Sequence, residues 1–192
     1  MIRLLCIAVL LDISTGTAMA QSTPPAQPTG SSVAASNHER IAGEFVYVGG
    51  EKEAAARNAA IDDATDDMFF AIRGTARRRI RNSTPIAPRV RISFGDGNIS
   101  VFAAGDPPAV SPENGKVINH KDREGDMIKL SQQITADDRL TQTFVADNGG
   151  QTILYTVSPD GKTLSVSHTI RSSRLPKDVR WTLTYQRARS GG

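Results

Sequence analysis

From residue 89 onward the chain alternates apolar and polar side chains in short runs, each closed by a turn signal. Val90, Ile92 and Phe94 share one face of residues 89–94, and Arg89, Arg91 and Ser93 share the other. In an extended chain this alternation buries one face and wets the opposite one. Gly95-Asp96-Gly97-Asn98 is a reversal signal, so residues 99–103 return as the partner strand of a hairpin. Further runs at 127–134, 140–146, 152–157, 163–170 and 180–186 read as strands, with residues 117–120 as a short additional one. The links at 135–138, 147–150 and 158–161 carry the Asp, Asn, Gly and Pro of tight turns, which predicts consecutive antiparallel pairing. Only the link at 172–178 is longer. Residues 105–115, with Pro107, Pro108 and Pro112, read as a loop outside the sheet.

The part before this meander has a different period. Residues 43–48 make a first strand, ended by Gly49-Gly50. Residues 51–72 then carry Ala54, Ile61, Ala64, Met68 and Ile72 near helical spacing, which predicts one helix lying on the sheet. Its acids, Glu51 to Asp67, precede a crowd of arginines, an order that suits the helix dipole. Gly74 is a candidate break or cap, and Asn82-Ser83-Thr84-Pro85 ends helical structure. The fold class is mainly β with a helical insertion: an antiparallel up-and-down meander closing into a barrel or half-barrel. There is no internal repeat.

Composition adds a compartment. Arg3, the apolar run 4–11 and Ala18-Met19-Ala20 have the three parts of a secretory signal, with cleavage expected after Ala20. Residues 21–37 are Ser-, Thr-, Pro- and Ala-rich, too poor in apolar surface to offset ordering entropy, and read as a disordered linker. The organisation expected is a signal at 1–20, this linker, one β-rich domain at 38–188 and a tail at 189–192, in the periplasm or secreted. The sole cysteine, Cys6, lies in the signal, so the mature chain has no disulfide or thiolate chemistry. A net charge of +3 is too small to imply nucleic acid, which needs basic residues tracking phosphates.

One strand, a helical insertion and then a meander with no closing helix resembles the calycin group, the lipocalins and the intracellular fatty-acid-binding type, over residues 42–187. Gly43-Glu44-Phe45 has the glycine of the lipocalin Gly-x-Trp, with a phenylalanine where the tryptophan would stand. The fatty-acid-binding type places its helices after the first strand, as here, although it is normally cytosolic. The resemblance implies carriage of a small apolar or amphipathic molecule without catalysis. A helix-grip fold begins similarly but needs a long C-terminal helix, and Trp181 to Tyr185 reads as strand.

Polar residues on apolar faces are the candidates for binding. Gln142 falls between Leu140 and Phe144, and His168 between Val166 and Ile170, while Tyr155, Trp181 and Tyr185 sit on neighbouring apolar faces. A sparse polar set in an apolar interior is the usual composition of a small-molecule pocket, and these five residues are the predicted ligand contacts. The competing explanation makes Gln142 and His168 satisfied structural residues. Arg77, Arg78, Arg79 and Arg81 form the second candidate site, for an anionic lipid surface or an acidic partner; the competing explanation is a solvated helix end paired with the preceding aspartates. Three scattered histidines make no metal set. No nucleophile elbow, His-Glu-x-x-His or phosphate loop is present, so neither catalysis nor a cofactor is expected.

Overall fold

The computed structural model describes residues 38–135 and 139–189; the predicted signal, the linker and all of the tail but its first residue lie outside them. Ten strands form one antiparallel sheet: β1 (Gly43–Tyr47), β2 (Arg89–Gly95), β3 (Asn98–Ala103), β4 (Ala109–Pro112), β5 (Ile118–Lys121), β6 (Met127–Thr135), β7 (Arg139–Ala146), β8 (Gly149–Val157), β9 (Thr163–Ser172) and β10 (Val179–Arg187). Their lateral order is β4-β3-β2-β1-β10-β9-β8-β7-β6-β5, so β1 joins the last strand and the meander curls on itself. The result is a nearly closed calycin-like barrel, with α1 (Gly50–Thr65) and α2 (Phe70–Ser83) inserted between β1 and β2.

The seam between β4 and β6 is stitched rather than laddered. Asn114 bridges Gln133, Gly115 N donates to Gln132 O at 3.0 Å, and the Gln132 amide reaches across to Ala109 O at 3.0 Å and Ile99 O at 3.4 Å. The last two bonds join β6 to main-chain carbonyls of β3 and β4 where no strand ladder runs. Ala109–Pro112 was expected to be loop and is strand: β4 ends the sheet order, where Pro112 at the strand end costs no ladder bond.

Most strand expectations hold within two residues. The β2–β3 hairpin turns on Asp96 (φ 52°) and Gly97 (φ 70°), two consecutive positive-φ residues whose twist matches the flanking strands. At the β7–β8 reversal the expectation needs correction, because Gly149 and Gly150 belong to β8. A Cβ on Gly150 would lie 2.5 Å from Phe144 O, so the ladder itself requires glycine there.

The single helix of 51–72 is also corrected. The chain breaks after Thr65, whose buried hydroxyl donates back to Ile61 O at 2.9 Å, and restarts at Phe70. Gly74 therefore lies inside α2. Ile61 and Ala64 are buried as expected, but Ile72 is 53% exposed because the chain has already turned away. The acids and arginines now face each other across two helices: Arg77 and Arg81 bond Asp62 at 3.1 and 2.6 Å, and Arg77 also bonds Asp66 at 2.6 Å.

Candidate functional site

Strand register builds the site. Gln132, Gln142, Ile153, His168 and Trp181 are successive partners across β6, β7, β8, β9 and β10. All point inward, so they form one lateral belt around the barrel wall. Two residues along each strand toward one end, Leu130, Phe144, Gln151, Ile170 and Val179 form the next row by the same pairings. At roughly 3.3 Å per residue the two rows lie about 7 Å apart. In the opposite direction come Ile134, Leu140, Tyr155, Val166 and Leu183.

These rows differ in burial. Leu140, Tyr155, Val166 and Leu183 are sealed, and with Leu164 and Tyr185 they fill the deep part of the barrel. In the upper row Leu130 and Val179 are sealed, and Phe144, Gln151 and Ile170 between them are half-buried, as are His120 beside Phe144 and His168 in the belt. The barrel is therefore packed at one end and partly open at the other. Side chains occupy the lower rows, and the half-buried inward surface lies at the other end, the mouth of the barrel.

Helix α1 forms one wall of that mouth. β1 pairs with β10 only at residues 185–187, leaving the first part of β10 without a strand on that side. Glu53 takes the place of the missing strand, accepting from Thr184 N and Thr184 Oγ1, both at 2.7 Å. Further along α1, Arg57 lies 6.0 Å from the Trp181 ring centroid and Asp63 pairs with Lys177 at 2.8 Å. The helix thus runs antiparallel to β10. Arg57 is buried, and its Nη2 donates to Arg81 O and Thr84 O at the end of α2, a helix C-cap made from another helix. Burial first, then repulsion from Arg81, lowers its pKa.

Each predicted contact has a definite place. The His168 ring stacks on Trp181 at 4.7 Å, and Gln151 Nε2 donates to His168 Nδ1 at 3.0 Å, which leaves the ring proton on Nε2. Burial, with help from the Arg57 charge, lowers the His168 pKa to about 4, so the ring is neutral near pH 7. Tyr155 donates to Gln142 Oε1 at 2.8 Å, and burial raises its pKa far above the usual phenol value. Trp181 carries a buried Nε1–H with no acceptor among the described residues. Tyr185 sits apart in the packed end: its hydroxyl donates to Ala87 O at 3.1 Å and its ring meets Tyr47 edge-on. Gln142, His168 and Trp181 therefore share the belt, Tyr155 supports it from below, and Tyr185 is remote.

Sequence reasoning missed Gln132, Ser111 and Arg57. Gln132 lies between Leu130 and Ile134 on one face of β6, the same signal that singled out Gln142. Ser111 was hidden in the presumed proline loop, and Arg57 looked like one charge on a polar helix. On the second candidate site, Arg77 and Arg81 are tied to aspartates, whereas Arg78 and Arg79 project from α2 into solvent.

No protein-family model matches the sequence, and no curated protein matches it. Among solved structures, a fatty acid transporter titled REP1-NXSQ is 13% identical, with a TM-score of 0.49, covering 80% of this chain and 99% of that one. A Schistosoma mansoni fatty acid binding protein in complex with arachidonic acid is 15% identical, with a TM-score of 0.47 and coverages of 80% and 99%. Lipid binding protein 8 of Caenorhabditis elegans is 7% identical, with a TM-score of 0.49 and coverages of 78% and 96%.

Proposed function

We propose that this protein binds a small apolar or amphipathic molecule at the open end of its barrel, acting by binding and not by catalysis. The observation that carries the reading is the half-buried inward row of Phe144, Gln151 and Ile170 set directly above a buried polar belt. Inward-facing apolar surface left in contact with water is an unfavourable arrangement unless something covers it. A ligand covering the mouth would bury its chain on Phe144 and Ile170 and set its polar end toward the belt. The reading includes export, on the strength of the signal pattern ahead of residue 21. Mass spectrometry of the protein purified from its native host tests both parts: a stoichiometric small molecule and a chain beginning at Gln21 support it, and a ligand-free chain retaining Met1 counts against both.

A second reading follows from the turn between the helices. Phe69 and Phe70 are 65% and 77% exposed, Ile72 follows them, and Arg78 and Arg79 lie further along α2. Exposed aromatics beside arginines suit an anionic lipid surface, where rings enter the interface and guanidinium groups meet head groups. Sedimentation with vesicles of anionic lipid, set against zwitterionic vesicles, tests it. Binding that falls with salt and is lost in Phe69→Ser/Phe70→Ser supports docking, and equal recovery with both vesicle types refutes it.

A further inference from the structure

Gln132 and Gln142 are direct cross-strand partners, 0% and 2% exposed, and the orientation of each side-chain amide is fixed from behind. Gln132 Nε2 is spent on Ala109 O and Ile99 O, which leaves Gln132 Oε1 as a buried acceptor. Gln142 Oε1 accepts from the Tyr155 hydroxyl, which leaves Gln142 Nε2 as a donor. Among the described residues neither Gln132 Oε1 nor Gln142 Nε2 meets a partner, and nor does the buried Ser111 Oγ on β4. An amide atom buried without a partner costs stability, so two cross-strand partners that each leave one such atom free describe a receptor for something else.

We propose that this pair reads a neutral ligand group carrying both a donor and an acceptor, a primary carboxamide or a hydroxyl, and rejects carboxylates. The inference rests on the binding reading above and names its ligand class. A carboxamide complements the pair atom for atom: its carbonyl accepts from Gln142 Nε2 while its N–H donates to Gln132 Oε1. A hydroxyl does the same through one atom. A carboxylate offers acceptors only and would set an anion against the Gln132 carbonyl oxygen. Among the described residues no Lys or Arg occupies an inward position of β4 to β8, and Arg57, the cation against Trp181, donates through Nη1 to Asn58 Oδ1 and through Nη2 to Arg81 O and Thr84 O. Arg187, inward at the packed end, is committed to the carbonyls of Gly161, Ala42 and Arg40. Access is from the mouth, about 7 Å above, past the half-buried Phe144 that follows Gln142 on the same face of β7.

The test is calorimetric titration of the full chain at pH 8 with decanamide, decanol and decanoate, equal in chain length and differing in head group. The proposal expects decanamide and decanol to bind at least tenfold tighter than decanoate. It also expects decanamide and decanol each to lose at least tenfold in affinity in Gln142→Leu/Tyr155→Phe, a double variant that takes away the donor of the pair but removes both partners of one bond together and so spares the fold. Equal affinities in the unaltered protein, or decanamide and decanol affinities unchanged in the double variant, overturn the proposal and leave the binding reading standing. Failure of all three to bind sinks the binding reading itself.

Discussion

The Tyr155 hydroxyl and the Gln142 carboxamide oxygen meet at 2.8 Å on adjacent strands, with both residues shut away from solvent. Among the described residues neither group has another partner, so each depends on the other. Tyr155→Phe and Gln142→Leu alone should each cost about 1–3 kcal/mol, because each strands a buried polar group. The double variant should cost less than the sum, giving a coupling of about 1 kcal/mol or more in urea unfolding. Strict additivity would show that the bond does not form in solution.

His168 gives the fold a pH dependence of known sign. Its pKa is lowered to about 4 in the folded chain, below the ordinary value of 6.5, so the unfolded chain binds the extra proton between these limits. Stability is therefore full above pH 6.5 and falls as pH drops toward 4, by roughly 2–3 kcal/mol for a ring that is half-buried. Urea unfolding at pH 7, 5.5 and 4.5 checks this against His168→Leu, in which that share of the slope should vanish. An unchanged slope would place the titrating group elsewhere.

Glu53 docks α1 on β10 through two bonds to Thr184. Glu53→Ala should destabilise the protein by about 1.5–3 kcal/mol, since the bonds are to a charged acceptor and one donor is a main-chain N–H. Glu53→Gln should recover part of the loss by keeping one acceptor. Thermal unfolding of the two variants decides it, and equal melting temperatures for unaltered protein and Glu53→Ala would detach the helix from the argument.

Gly150 lies on β8 against the main chain of Phe144 and Val145 on β7. A methyl group there would press on Phe144 O, a main-chain atom that cannot swing away. Gly150→Ala should therefore cost about 1–3 kcal/mol and loosen the rim at Phe144. Gly74→Ala on exposed α2, where a Cβ meets nothing, should stabilise by up to about 1 kcal/mol. Opposite signs in one denaturation series are the expected result.

The strands were legible because each half-buried segment carries its own alternation, and the hairpins because Asp96-Gly97 and its counterparts encode their turns locally. The helices were legible only in part. Met68 and Ile72 continue the apolar period of α1 past Thr65, although the chain has turned by then, and periodicity has no term for a reversal that keeps phase. β4 was lost because prolines count against a strand without regard to its position at the end of a sheet. In the site, Gln142, His168 and Trp181 were found by face alone. Their union in one belt was not, because register between strands is set by long-range pairing. The seam is less legible still: it is closed by the Gln132 side chain reaching main-chain carbonyls on two other strands.

Trp181, the only tryptophan in the chain, lies in the belt against His168, so its emission reports directly on the mouth. Titration with decanol, below the concentration at which it separates from water, is the most direct test of the account. The account predicts a saturable change in Trp181 emission that Ile170→Arg, which sets a charge in the rim, abolishes while the far-ultraviolet circular dichroism stays unchanged. A flat titration, or a response that Ile170→Arg leaves intact, would contradict it.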